Sequence, residues 1–387
     1  MDLSKLTRKQ PPNRRVVLAT LPCIAGGVYF FGWRSLAMVL VCMAVAYLAE
    51  WLFCRKRGEI VSEAAFVTAA IYSIILPPTL PWHVLVVGIL VAIVVTKELF
   101  GGFGRNVFNP AMVGRAFIYV CFPVAMTGTW APNALELRGA QWYGALNRWT
   151  TQRLTGQELA GLRAGVDAQR WTIAREGPDG ADATTGATPL GVNKQLQQEI
   201  QRRGAAGGAE LGAAVEDFRQ YHQRELNYGD LLLGRISGVM GGTSALLILI
   251  GGMYLYMTNT ASRAIILSTV ISCTALSELL HVLGVRPSSD ALTALLSGGF
   301  LFGAFFMATD PITAPKTFWG RIYFGCIVGT GRVIIANHSV FNGGFMFALL
   351  LGNTFGPTID YLVRARQEAR KAKPTAPTTP TGEVTAP

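Results

Sequence analysis

The chain has 387 residues, of which 51% are hydrophobic and only 15% charged, and its net charge is +11. Soluble chains average roughly 25% charged residues, and a mean hydropathy of +0.35 leaves too little polar surface for water on every side, so a set of soluble domains and a disordered chain are both excluded. The solvent is a bilayer, and the basic excess points to a membrane surface rather than to nucleic acid.

A crossing helix needs about 20 mostly apolar residues. Residues 1–15 are a basic cytoplasmic N-terminus, and the first stretches that meet or approach the requirement are 16–33, 35–54, 62–78, 82–100 and 109–127. A basic start before an apolar run resembles a signal peptide, but the spans that follow make it a retained first helix. Continuous apolar runs such as 84–95 exclude a transmembrane barrel, whose strands alternate with period two. Between the fourth and fifth stretches lies GGFGRNVFNPAMVGRAF, residues 101–117. Its glycines let backbone approach something flat, Asn106 and Asn109 offer amide donors and acceptors, and its phenylalanines offer ring faces. That set suits a planar heteroaromatic ligand such as a flavin or quinone. Taken alone, a broken helix entrance with amide caps is the plainer reading.

Residues 128–238 are a different kind of sequence, polar and rich in Gln and Gly, with 12 basic and 12 acidic residues. An insert this long in a membrane protein serves a partner or a site. Within it runs Asp182-Ala183-Thr184-Thr185-Gly186-Ala187-Thr188-Pro189. Small neighbours expose Thr188 to a modifying enzyme, and Pro189 biases it to an extended conformation that presents the hydroxyl. A plain loop accounts for such a string when nothing else is known.

The second set of apolar stretches is 240–258, 262–283, 290–308, 318–337 and 341–363, followed by a tail, 364–387, that is Pro/Thr-rich from Pro374 and predicted to be disordered. The domains are thus a first five-helix half, 16–127, the insert, 128–238, and a second five-helix half, 239–363. An odd count per half inverts the second half. Pro77-Pro78 against Asp310-Pro311, and Asn109-Pro110 against Asn342-Gly343, are the interrupted, corresponding segments expected of inverted repeats around a central site. Short loops on one side carry 18 Lys and Arg, and those on the other carry Arg34 and Arg286 alone. That bias places both termini in the cytoplasm and the insert outside.

Glu50, Glu98, Glu278, Asp310 and Asp360 are the acids in or beside spans. Intramembrane ionisable groups are functional candidates because they are costly there. Glu50, Asp310 and Asp360 lie near span ends, where capping serves as well. Glu278 is deeper and is a candidate to face a polar cavity. Arg115 and Arg332 could pair with an acid or hold an anionic group. The six cysteines include no C-x-x-C and the four histidines show no metal spacing, so no metal site is expected.

At residues 101–117 and 182–188 the chain resembles the NqrB/RnfD family, membrane proteins of the sodium-translocating NADH:quinone oxidoreductase and of the Rnf ferredoxin:NAD oxidoreductase. Asp182, Thr185, Gly186, Ala187 and Thr188 match every fixed position of the family's flavinylation motif, D-x-x-[S/T]-G-A-T. The resemblance extends through Phe30-Phe31-Gly32-Trp33, Phe122-Pro123-Val124-Ala125-Met126-Thr127 and Met307-Ala308-Thr309-Asp310-Pro311, and its wording is somewhat nearer the RnfD branch. It implies an all-α polytopic fold of about ten helices in two inverted halves, akin to urea transporters, in the bacterial inner membrane. It implies FMN bound to Thr188 by a phosphoester on the external (periplasmic) side, attached by a flavin transferase, in an electron-transferring subunit that works with the other subunits of an ion-translocating complex. Some members hold a second flavin, riboflavin, which Asn106, Asn109 and Arg115 would contact here. In two places the chain departs from the family: Gly242 and Gly343 stand where members carry Glu, which bears on coupling to Na+ or H+ and not on electron transfer. A solute channel or a structural anchor on the same fold is the alternative, favoured by the missing carboxylates and disfavoured by the intact motif.

Overall fold

The computed structural model describes residues 7–127, 142–150, 172–173, 185–186, 228–235, 238–284, 289–297, 299–339 and 344–371. In the first half these form α1 (Pro11–Phe31), α2 (Arg34–Arg57), α3 (Ala64–Ile74), α4 (Trp82–Leu90), α5 (Pro110–Cys121) and α6 (Pro123–Thr127). After the insert come α7 (Tyr228–Leu233), α8 (Ala245–Met257), α9 (Arg263–Val282), α10 (Ala291–Leu296), α11 (Phe300–Phe302), α12 (Phe318–His338) and α13 (Gly344–Lys371). Every one of the ten predicted stretches holds helix. Three of them, α1, α2 and α9, are long and apolar enough to cross a bilayer, as befits a multi-pass helical membrane protein.

Local chemistry sets the ends. Pro11 and Pro12 open α1, where their missing N–H groups cost nothing. Basic residues fill the last turn of α2, and Gly58 closes it at φ +71. Asn109, Ser244, Asp290 and Thr317 cap α5, α8, α10 and α12 with side-chain acceptors. The differences from expectation are also local. The fourth stretch continues beyond α4 as a π-helical run, Val91–Glu98. The fifth breaks at Phe122, because Pro123 has no N–H to carry the ladder on. In the eighth, α10 ends at Leu296, Gly299 has φ +68, and helix resumes as α11 and a π-helical run, Gly303–Met307. The last helix runs to Lys371, so 364–371 extends α13 and is not disordered tail.

Small residues set the close contacts. A Cβ on Gly88 would overlap the Tyr72 hydroxyl, and one on Gly114 would lie 2.6 Å from the Gly88 carbonyl oxygen, which brings α3, α4 and α5 together. Gly325 and Gly329 on α12 do the same against Ser268 and Ser272 of α9, the small-xxx-small packing of membrane helices.

The two halves repeat one contact. Ahead of α1, β1 (Thr7–Arg8) pairs in parallel with β2 (Val61–Ser62) at the entrance to α3, and Glu63 accepts from the Gln10 N–H at 2.7 Å. Ahead of α8, α7 sits at the entrance to α10, where Tyr228 Oη donates to Asp290 Oδ2 at 3.1 Å. At the far end of α1, residues 142–150 are strapped to the α1–α2 turn. Tyr29 Oη donates to the Trp142 carbonyl at 2.9 Å, Trp33 Nε1 to Leu146 at 2.8 Å, and the Arg34 N–H to Trp149 at 2.7 Å.

Candidate functional site

A cavity of about 100 Å³ lies at the start of α1, opposite the strap. Its walls come from both halves: Asn13 of α1, Thr68 of α3, the segment from Lys97 to Ala111, the turn after α8 at Thr260, and Phe306 to Ile312. The lining mixes two phenylalanines, Phe103 and Phe306, with neutral hydrogen-bonding side chains and two charges, Lys97 and Asp310.

The segment 101–109 makes one side. Gly101, Gly102 and Gly104 have φ +98, +95 and +87, a left-handed run that favours glycine. It turns the chain sharply from the π-helical run to α5. Asn109 Oδ1 accepts from the Met112 N–H at 3.3 Å, capping α5, while its Nδ2 donates to the Met307 carbonyl at 3.4 Å. One amide thus caps a helix and ties the two halves at the cavity. Asn106 Nδ2 donates to the Phe108 carbonyl at 3.2 Å. Both predicted asparagines reach the cavity; Arg115 does not line it. Arg115 Nε is buried without a hydrogen-bond partner on α5.

The wall behind Lys97 is a cluster of four charges, of which Lys97, Glu50 and Glu98 are buried and Arg57 is exposed. Lys97 is 2% and Glu50 1% exposed, and Lys97 Nζ lies 2.6 Å from Glu50 Oε2. Ser62 closes the triangle: its Oγ accepts from Lys97 Nζ at 2.8 Å and donates to Glu50 Oε1 at 2.7 Å, and its N–H donates to the same oxygen at 2.9 Å. Next along the π-helical run, Glu98 pairs with Arg57. Glu50 and Arg57 are seven residues apart and so share one face of α2, which meets Lys97 and Glu98 in turn. Of the four, Lys97 alone reaches the cavity, 5.7 Å from the centre of the Phe103 ring. The π-helical run carries Lys97 inward.

The remaining acids are structural. Asp310 accepts from the Ile312 N–H and Thr313 Oγ1, shaping the cavity's turn. Asp360 accepts from the Lys316 and Thr317 N–H groups and from Thr317 Oγ1, stapling the start of α12 to α13. Glu278 is exposed and accepts from the Ala291 N–H at 3.1 Å at the start of α10, and it does not line the cavity at the start of α1. Arg332 is buried, donates to the Ala294 carbonyl at 3.1 Å and stacks over Phe300. At Gly242 a Cβ would meet Val239 Cγ2 at 2.6 Å and Gly299 Cα at 3.1 Å, so the Val239 side chain and the Gly299 backbone leave no room for a side chain there.

Of the flavinylation motif, Thr185 and Gly186 form β4, antiparallel to β3 (Thr172–Ile173), with Thr185 opposite Ile173 and Gly186 opposite Thr172. Asp182, Ala187, Thr188 and, farther on, Gly343 lie outside the described residues.

The model of the NQR2, RnfD, RnfE family matches residues 7–368. The D component of the ion-translocating oxidoreductase complex of Stutzerimonas stutzeri is 34% identical over 363 residues, covering 92% of this chain and 91% of that protein. The protein of the same name from Escherichia coli strain SMS-3-5 is 31% identical over 361 residues, covering 91% and 92%.

Proposed function

The chain belongs to the NQR2, RnfD, RnfE family, and from that premise we propose that it is an electron-transferring subunit of an ion-translocating oxidoreductase complex, with FMN held covalently on Thr188. The observation that carries this is the intact motif Asp182-x-x-Thr185-Gly186-Ala187-Thr188 in a chain matched to the family almost end to end. The isoalloxazine supplies the redox chemistry, and the chain supplies position and electrostatics. The Thr188 hydroxyl takes the flavin phosphate once, during maturation by a separate flavin transferase, and is not a turnover nucleophile.

The ten stretches form ten spans in two inverted halves across the bacterial inner membrane. The repeated contact of Glu63 with Gln10 and of Asp290 with Tyr228 supports the inversion. Both termini are cytoplasmic and the insert is external. The strap supports this, because it fixes the described start of the insert to the α1–α2 turn while the cavity sits at the other end of α1, roughly 30 Å away for a 21-residue helix. The cavity holds a second, non-covalent flavin, riboflavin. Its two phenylalanines, Phe103 and Phe306, and the side-chain amides of Asn13, Asn106 and Asn109 suit a planar heteroaromatic ring. Electron transfer through the complex drives Na+ or H+ movement, and with Gly242 and Gly343 in place of two family carboxylates the ion path relies on other groups.

The test is a denaturing gel. Expressed with a flavin transferase, the full chain runs as a flavin-fluorescent band, and Thr188→Ala abolishes it. A dark wild-type band sinks the FMN assignment, and a bright Thr188→Ala band moves it to another residue. Sodium uptake into vesicles carrying the whole complex, driven by electron transfer, checks the coupling.

A further inference from the structure

Among the described residues, Lys97 is the buried cation on the cavity wall, and two acceptors hold its ammonium in place. An ammonium has three donors. Two are taken, by Glu50 Oε2 and Ser62 Oγ, and the third has no partner among the described residues. The nitrogen lies 5.7 Å from the Phe103 ring centre, and both residues line the same cavity. Glu50 does not line it. The pair is therefore a dipole seen from the cavity, with its positive end at the wall and its negative end behind. A buried ion pair is weak support for stability, since apolar residues of like volume often do as well. What such a pair does provide here is a preset charge that need not reorganise when charge arrives.

We propose that Lys97 is the positioning residue for the redox ligand of this cavity: its third N–H donates to an acceptor atom of the ring, and its charge favours the electron-rich form. This rests on the flavin reading of the cavity and assigns its tuning group. An electron delivered from the preceding carrier of the complex, which is thereby oxidised, adds one negative charge beside Lys97. No bond to the chain forms or breaks.

The test uses the full chain with Thr188→Ala, so that any flavin left is non-covalent and is released by acid. The released flavin is quantified, and the protein is poised at fixed potentials with redox mediators while the flavin spectrum is read. The double variant Glu50→Gln/Lys97→Gln removes both charges together and avoids a stranded buried ion. It retains flavin, and its reduced-to-oxidised ratio at a given potential falls about tenfold, which is about 59 mV for one electron. Lys97→Arg, which keeps the charge, stays near the wild-type ratio. An unchanged ratio in the double variant, or a Lys97→Arg protein that behaves like the double variant, overturns the role of Lys97 and leaves the flavin reading standing. No acid-released flavin in the Thr188→Ala protein overturns both.

Discussion

At the scale of single residues, three buried charges, Glu50, Lys97 and Glu98, lie between α2 and the π-helical run, and their pairing decides what substitution does. Removing one member strands its partner. Glu50→Ala leaves the ammonium of Lys97, 2% exposed, with only the Ser62 hydroxyl, a change expected to cost about 3–5 kcal/mol. Replacing both by apolar residues of similar length, Glu50→Leu/Lys97→Met, should cost less than about 1 kcal/mol or be neutral. Thermal unfolding of the detergent-purified chain reads the difference. If the single variant melts with the wild type, the ion pair carries no energetic weight. Asn109 is the other residue with two engagements. Asn109→Ala loses the cap of α5 and the bond to Met307, together about 1–2 kcal/mol. The same melt, and a lower content of acid-released flavin, would register it. The charge cluster was not legible in the sequence. The sequence places Glu50 near a span end and Lys97 inside the fourth stretch, but which way each faces cannot be read from span limits, which assume the α-helical period. The π-helical turn shifts the facing of each residue after it.

Among the elements, helix existence was legible throughout, since continuous apolar runs of this length have one solution in a bilayer. Breaks and ends were less so. The kink at Phe122 follows from Pro123 and could be read directly. The break at Gly299 sits among Ser297-Gly298-Gly299 and was hidden by high hydropathy on both sides. The continuation of α13 past residue 363 was missed for the opposite reason: polar, charged residues such as Arg364, Arg366 and Glu368 end a span but do not end a helix. The strap was not visible at all, because it depends on a long-range contact. It hangs on Gly32, whose φ is +96 and whose absent side chain leaves 2.8 Å to the Arg148 carbonyl oxygen and 2.9 Å to that of Trp149. Gly32→Val would be strained in backbone and would push the strap away. The expected cost is at least about 1 kcal/mol, which opens residues 142–150 roughly fivefold more often. Limited trypsin digestion should then cut after Arg148 correspondingly faster, with the global melt nearly unchanged. Equal cutting rates would show that the strap is held elsewhere.

For the whole molecule, the arrangement that matters is the opposition of two places along α1. One end holds the strap, and through it the described start of the segment that bears the flavinylation motif; the other opens into the cavity at Pro12, Asn13 and Val16. The distribution of Lys and Arg gave the same opposition from sequence, since charge outside the bilayer is a topological record that needs no contacts to read. What charge could not give is that both halves meet at the cavity, through Asn109 and Met307. The topology can be tested apart from any flavin. Of the free cysteines, Cys121 is exposed and is first replaced by serine. Into that chain Asn147→Cys is placed in the strap and, separately, Glu59→Cys at the end of α2; both positions are exposed. With the insert outside, a membrane-impermeant maleimide labels Asn147→Cys in intact spheroplasts, while Glu59→Cys is labelled only after lysis. The reverse pattern would turn the molecule over and put the cavity on the outer face. Equal labelling before lysis would mean that α2 does not cross, and the five-plus-five arrangement would fall with it.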